Sequence, residues 1–215
     1  MRALFSFRPL RLLAALPLAA LASLTALAAC EHDEGPSTPP VMPTPPATCP
    51  EAWSVPPAVD PALALPAAGI RVVAHVTARG TQNYECAAST GDAGAGYAWT
   101  LRGPDAALSD CNGAPFGRHF ASDGEGHPPK WEAADGSYVI AKKVAAAPVK
   151  NDPTAVPWLL LQVTGHGGAG ALAGVDYVHR VGTAGGAAPV DGCDASHVGA
   201  SQKIPYAAAY WFYGR

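Results

Sequence analysis

Beyond Pro61 the chain has no long run with apolar residues at helical spacing, and glycine or proline interrupts it every few positions. A helix needs several unbroken turns to present an apolar stripe, and both residues destabilise helix interiors. Short strands joined by turns tolerate this punctuation. Ile70 to Ala78 alternates, with Ile70, Val72, Ala74 and Val76 on one face, the period of a half-buried strand. Gly80 is read as its end, and Thr81 to Cys86 as the next strand. Tyr97, Trp99 and Leu101 share a face of a third, and Phe116 to Phe120 forms a short one. Pro157 to Val163 is apolar on both sides, which predicts a central strand covered on both faces. Val175, Tyr177, His179 and Val181 alternate again, and Ser201 to Tyr213 closes the chain with a long aromatic strand. The sum is an all-β domain of about nine or ten strands, an antiparallel β-sandwich or a partly closed β-barrel stapled by disulfides.

The clearest local signal is a β-hairpin from Pro129 to Val144. Asp135-Gly136 suits a two-residue turn with positive φ at both central positions.

The N-terminus carries Arg2, Arg8 and Arg11 ahead of an apolar run, Leu12 to Ala29, that lacks acidic residues and closes on Leu27-Ala28-Ala29-Cys30. The run is long enough to span a membrane. Its basic start and small-residue end match a secretory signal instead, and the cysteine at the cleavage point resembles the lipobox of bacterial lipoproteins. Residues 1–29 are therefore read as a lipoprotein signal peptide. Residues 30–60 are read as lipid-bearing Cys30 and a Pro-rich tether, and residues 61–215 as the all-β domain. Glu31 is not the aspartate associated with inner-membrane retention, so the expected location is the bacterial cell envelope, lipid-anchored, with the outer membrane favoured. A formal net charge of −3 with 14% charged residues gives no electrostatic case for nucleic acid. Besides Cys30, the cysteines are Cys49, Cys86, Cys111 and Cys193, an even set that suggests two disulfides in an exported protein and allows three pairings.

A string of motifs then runs through the domain in order. It comprises Gly80-Thr81-Gln82-Asn83-Tyr84-Glu85-Cys86, Gly117-Arg118-His119, Trp131-Glu132-Ala133-Ala134-Asp135-Gly136-Ser137, Ala141-Lys142 and Val156-Pro157-Trp158-Leu159-Leu160-Leu161. It continues with His179-Arg180-Val181-Gly182-Thr183-Ala184-Gly185-Gly186, Gly192-Cys193-Asp194, and Ile204-Pro205-Tyr206 with Tyr210-Trp211-Phe212-Tyr213. Together they resemble the bacterial and fungal secreted family grouped as domain of unknown function thirty-four fifty-five. The resemblance implies a Cys86–Cys193 disulfide and leaves Cys49 for Cys111. It brings no established activity, although some fungal relatives carry a malate-dehydrogenase label.

Gly165-His166-Gly167-Gly168-Ala169-Gly170 fits Gly-x-Gly-x-x-Gly. A dinucleotide site needs a following helix and a further parallel strand, and here an alternating run follows instead. The stretch is read as a loop, a nicotinamide-dependent dehydrogenase is rejected, and no cofactor is expected. His119, His127, Glu132 and Asp135 invite a metal or acid/base reading, but their spacing is irregular and no metal site is expected. Lys142 is placed on the apolar hairpin face with Tyr138, Ile140 and Val144, with Glu132 as a diagonal partner. With Gln82, His119, Trp131 and Arg180, this pair is the candidate site for a polar or anionic small ligand. The C-terminal aromatics, Tyr206, Tyr210 and Phe212 on one side and Trp211 and Tyr213 on the other, suit core packing better than a sugar-stacking platform for a glycan. The expected function is a small-ligand or envelope binding module. The alternative is an envelope hydrolase or lyase with Glu132 or His119 as acid/base.

Overall fold

The computed structural model describes residues 51–66, 68–91 and 94–215. Eight strands follow one another: β1 (Arg71–Gly91), β2 (Gly94–Ser109), β3 (Pro115–Ala121), β4 (Pro129–Ala133), β5 (Tyr138–Ala147), β6 (Trp158–Gly167), β7 (Tyr177–Gly185) and β8 (Ser201–Gly214). Every neighbouring pair is antiparallel, and β8 pairs with β1, so the sheet closes into a ring as a barrel. The strands number eight because β1 runs through Gly80 instead of ending there, and Pro104 to Ser109 continues β2. Gly80 is where β1 passes closest to β2. A Cβ at that position would stand 2.5 Å from Ala106 Cα, closer than real side chains come, so glycine permits the crossing.

The pleat sorts the sequence into two faces. Val76 and Ala78 of β1, Ala106 and Leu108 of β2, Trp131 and Ala133 of β4, Val139 and Ala141 of β5, Leu161 of β6, Val178 of β7 and Tyr206, Tyr210 and Phe212 of β8 fill the interior. The face shared by Ile70, Val72, Ala74 and Val76 in the sequence is split by a bulge between Val72 and Ala74. Ile70 and Val72 pack outside, against Trp211 and Tyr213, while Ala74 and Val76 pack inside.

The outer face of β6, β7 and β8 is apolar because a strap covers it. The strap comprises residues 51–65, with 3-10 turns at Glu51–Ser54 and Pro61–Leu63. The indole N–H of Trp53 donates to the His75 carbonyl (3.2 Å), His75 Nδ1 bonds the Trp53 carbonyl (2.9 Å), and the His75 ring stacks between Trp53 and Trp211. Further along, Leu63 is fully buried against Leu160 and Ala147, and its carbonyl accepts from His179 Nε2 at 2.8 Å. The two-sided apolarity of Leu159-Leu160-Leu161 thus reflects barrel interior on one side and strap on the other.

One end of the barrel is plugged. Leu172 and Val175, both fully buried, fold in from the β6–β7 connection. The glycine-rich stretch from Gly165 to Gly170 leads into this plug and is followed by a turn and β7, with no helix. The β4–β5 hairpin holds it in place. That hairpin uses three loop residues, Ala134, Asp135 and Gly136, in place of the expected two: Gly136 N donates to Ala133 O, Ala133 N donates to Ser137 O, and only Gly136 has positive φ (82°). This is a type I turn closed by a left-handed glycine. Asp135 is thereby freed to accept from Ser137 N (2.9 Å), Ser137 Oγ (2.6 Å) and Ala171 N (2.8 Å), and Ser137 Oγ accepts from Leu172 N. These bonds hold the Asp135 carboxyl below its ordinary range.

Candidate functional site

The other end of the barrel is open. It is framed by the β3–β4, β5–β6 and β7–β8 connections and by the far half of the β1–β2 ribbon, whose residues from Cys86 on β1 and up to Trp99 on β2 pair with no third strand. The Cys86–Cys193 disulfide bolts this ribbon to the β7–β8 connection. Around it, Cys86 N donates to Ala200 O, Gly199 N to Cys86 O, and Trp99 Nε1 to Asp191 O. The pairing implied by the family resemblance is the one found. The other expected pair, Cys49–Cys111, and the lipidated Cys30 involve residues outside those described.

Inside the mouth lies a cavity of about 560 Å³. Four of the six residues expected at a ligand site line it: Gln82 from β1, His119 from β3, Trp131 from β4 and Arg180 from β7. His119 and Trp131 are cross-strand partners, stacked at 4.2 Å and nearly parallel, with the Tyr210 ring edge-on to both. Leu159, Leu161, Val156 and Pro129 add apolar wall.

The remaining two expected residues are elsewhere. Glu132 stands opposite Tyr138 on the outer face of β4 and pairs with Lys130, not Lys142. Lys142 is exposed opposite Gln162. The cause is the parity of the hairpin: Trp131 faces inward opposite Val139, so Val139, Ala141 and Lys143 form the inward set and Lys142 points out. Lys143 and Arg102, which line the cavity, are the cations that sequence reasoning misses; Lys143 is the one that stands in the place expected of Lys142. The signal for Lys143 is present, since it lies two and four residues beyond Ala141 and Val139 on a strand that alternates. Asp135 sits at the plugged end, so the His119, His127, Glu132 and Asp135 set is dispersed, and among the described residues no group of three or more His, Cys, Asp or Glu side chains could hold a metal. The five C-terminal aromatics are all buried, and one face of Trp131 is taken by His119, so these rings offer no free stacking platform.

The electrostatics of the cavity are one-sided. Arg180, Lys143 and Arg102 line it, His119 and His127 add imidazoles, and no aspartate or glutamate does. Arg180 donates through Nε and Nη2 to the Pro157 carbonyl (3.1 and 2.9 Å), which fixes the guanidinium against the wall. Burial pushes His119 down to about 3, with the Arg180 charge adding to the effect. Its Nδ1–H donates to Lys130 O at 2.9 Å, so the neutral ring keeps its Nε2 lone pair as an acceptor. Burial likewise raises Tyr206 and Tyr210 above the ordinary tyrosine range.

A neutral buried histidine makes the fold sensitive to acid. His119 titrates at about 3 when folded, against an ordinary value of 6.5; between those values the unfolded chain takes up a proton that the native state refuses. The stability this contributes is complete above the unfolded pKa and is lost as pH falls toward the folded one. His75 and His179 are also lowered by burial and act in the same direction. Urea denaturation at pH 6 and pH 4 is expected to show a loss on the order of 2 kcal/mol from His119, since each tenfold change in proton affinity is worth about 1.4 kcal/mol. His119→Gln should flatten that part of the slope; an unchanged slope would remove His119 as its source.

The fold and site define an all-β, antiparallel, closed-ring domain with one plugged end and one open end that carries a cationic cavity. Residues 66–214 match the family model "Protein of unknown function (DUF3455)", and the chain belongs to that family. No curated protein and no solved structure matches it.

Proposed function

We propose that this domain is a binding module whose open end takes up a small organic anion. The observation that carries this reading is the cavity's one-sided charge: three cations and no carboxylate line it, in a chain whose formal net charge is −3. Its volume of about 560 Å³ falls in the range of small-molecule sites, and its mixture of apolar wall with a few convergent polar groups is what such sites use. The acid/base alternative loses support because Glu132 lies outside the cavity and a histidine held at about 3 is a weak base at neutral pH. Lipid attachment at Cys30 and an envelope location, as expected from the leader sequence, belong to the same proposal. A disulfide fits an oxidising compartment.

Isothermal titration of the purified protein with size-matched anionic, neutral and cationic organic compounds tests the reading. Anions are expected to bind, and Arg180→Ala to weaken them by about tenfold or more, the worth of a hydrogen bond to a charged group. Lys142→Ala, outside the cavity, should leave binding unchanged. Equal binding of neutral or cationic compounds would overturn the proposal.

A further inference from the structure

The deep wall of the cavity holds two donors with nothing to donate to. Gln82 and Trp131 are each only 1% exposed, both line the cavity, and neither Gln82 Nε2 nor Trp131 Nε1 has a hydrogen-bond partner. Gln82 lies beside the Tyr206 hydroxyl, yet its amide nitrogen stays unpaired. A buried N–H without an acceptor costs free energy that an apolar side chain of the same shape would avoid. Two of them in one cavity wall, next to a fixed guanidinium, describe an acceptor site.

The charge available at that depth is a single one. Arg102 is bound to Glu85 at 2.8 Å with its side chain about half exposed. Lys143 is exposed at the mouth. Arg180 alone projects its charge onto the buried His119, Tyr206 and Tyr210. Nε and Nη2 donate to Pro157 O and the guanidinium also hydrogen-bonds the Tyr210 hydroxyl, so a ligand meets a guanidinium held in place, with N–H groups to spare. One cation and two neutral N–H donors balance one negative charge shared over two or more oxygens. A dianion would bring a second charge out of water with no partner for it.

We propose that the anion is a small organic monocarboxylate that enters head-first. Its two oxygens accept from Gln82 Nε2, Trp131 Nε1 and Arg180, and its apolar body lies along Leu159, Leu161 and Val156. This rests on the small-anion reading above and narrows it. The lone pair of His119 Nε2 faces no donor in the protein and favours carboxylates that also carry a hydroxyl or N–H.

The test is isothermal titration of the full protein at pH 7.5 (chosen above the ordinary histidine range, about 6.5). The probes are hexanoate and benzoate, their amides, and the corresponding phosphonates, which carry more negative charge. The carboxylates are expected to bind at least about tenfold more tightly than either counterpart, the worth of one well-placed charged hydrogen bond. Gln82→Met, which keeps the side-chain length, and Trp131→Phe, which keeps an aromatic ring, both remove the N–H and should each weaken carboxylate binding by about tenfold. The melting temperature of the free protein should be unchanged or higher in Gln82→Met and lower in Trp131→Phe, where part of the indole volume is left empty. Phosphonates binding as tightly as carboxylates, or carboxylate affinity unchanged in both variants, would overturn the monocarboxylate assignment and leave the small-anion reading in place. No binding by any anion would overturn both. Should either variant fail to fold, the probe series on the unaltered protein decides alone.

Discussion

Trp131→Ala is expected to destabilise the domain by about 3–5 kcal/mol, the range for deleting a fully buried large aromatic. The indole is 1% exposed and connects three strands: it stacks on His119 of β3 and meets the rings of Tyr210 and Phe212 of β8 across the interior. Its removal takes away transfer energy and ring contacts together. The hole would open onto the mouth cavity, so water fills it and His119 becomes solvated. Burial is the main cause of the low His119 pKa, so the variant should also lose part of its acid sensitivity. Urea denaturation at two pH values reads both effects. A loss below about 1 kcal/mol, the size of an ordinary substitution, would mean that the stack does not organise the interior as described.

Removing the Cys86–Cys193 bond is expected to cost about 2–5 kcal/mol, toward the upper end because the link closes a long loop. The sequence separation is 107 residues, so the freed unfolded chain gains considerable entropy. The native geometry has other supports nearby, in the bonds between Cys86 and Ala200 and Gly199, between Trp99 and Asp191, and between Tyr84 Oη and Gly186 O. The double variant Cys86→Ala/Cys193→Ala should therefore keep the same fold with a lower melting temperature, by about 5–15 °C at a few degrees per kcal/mol for a chain of this size. It leaves Cys111 untouched, which chemical reduction does not. A drop smaller than about 2 °C would show that the ribbon is held without the bond.

How far the fold and site are legible in the sequence follows from what alternation can and cannot encode. The faces of β8 are readable: Tyr206, Tyr210 and Phe212 share the interior, while Trp211 and Tyr213 share the outside, as their spacing requires. The all-β class is readable from the punctuation. Ring closure is not, since it depends on pairing β1 with β8, from opposite ends of the domain. Nor are bulges: the one beside Val73 exchanges the two faces of β1 near its start, and no local residue type announces it. At the candidate site, Gln82, His119, Trp131 and Arg180 are reachable from residue chemistry. Lys142 stands in for Lys143 in the sequence reading because alternation assigns parity but not which parity faces inward. Trp131 settles that question through its register with Val139, a long-range fact of the folded hairpin.

The strap has a mechanical consequence. A pull on the chain ahead of Trp53 would enter the barrel through the outer wall, first at the Trp53–His75–Trp211 stack and then at the Leu63–His179 bond. These two fastenings lie in series ahead of β1 and resist in turn, like rivets in a lap joint. The loops that shape the open end stand outside this load path, so tension on the chain is absorbed along the wall and the mouth keeps its shape.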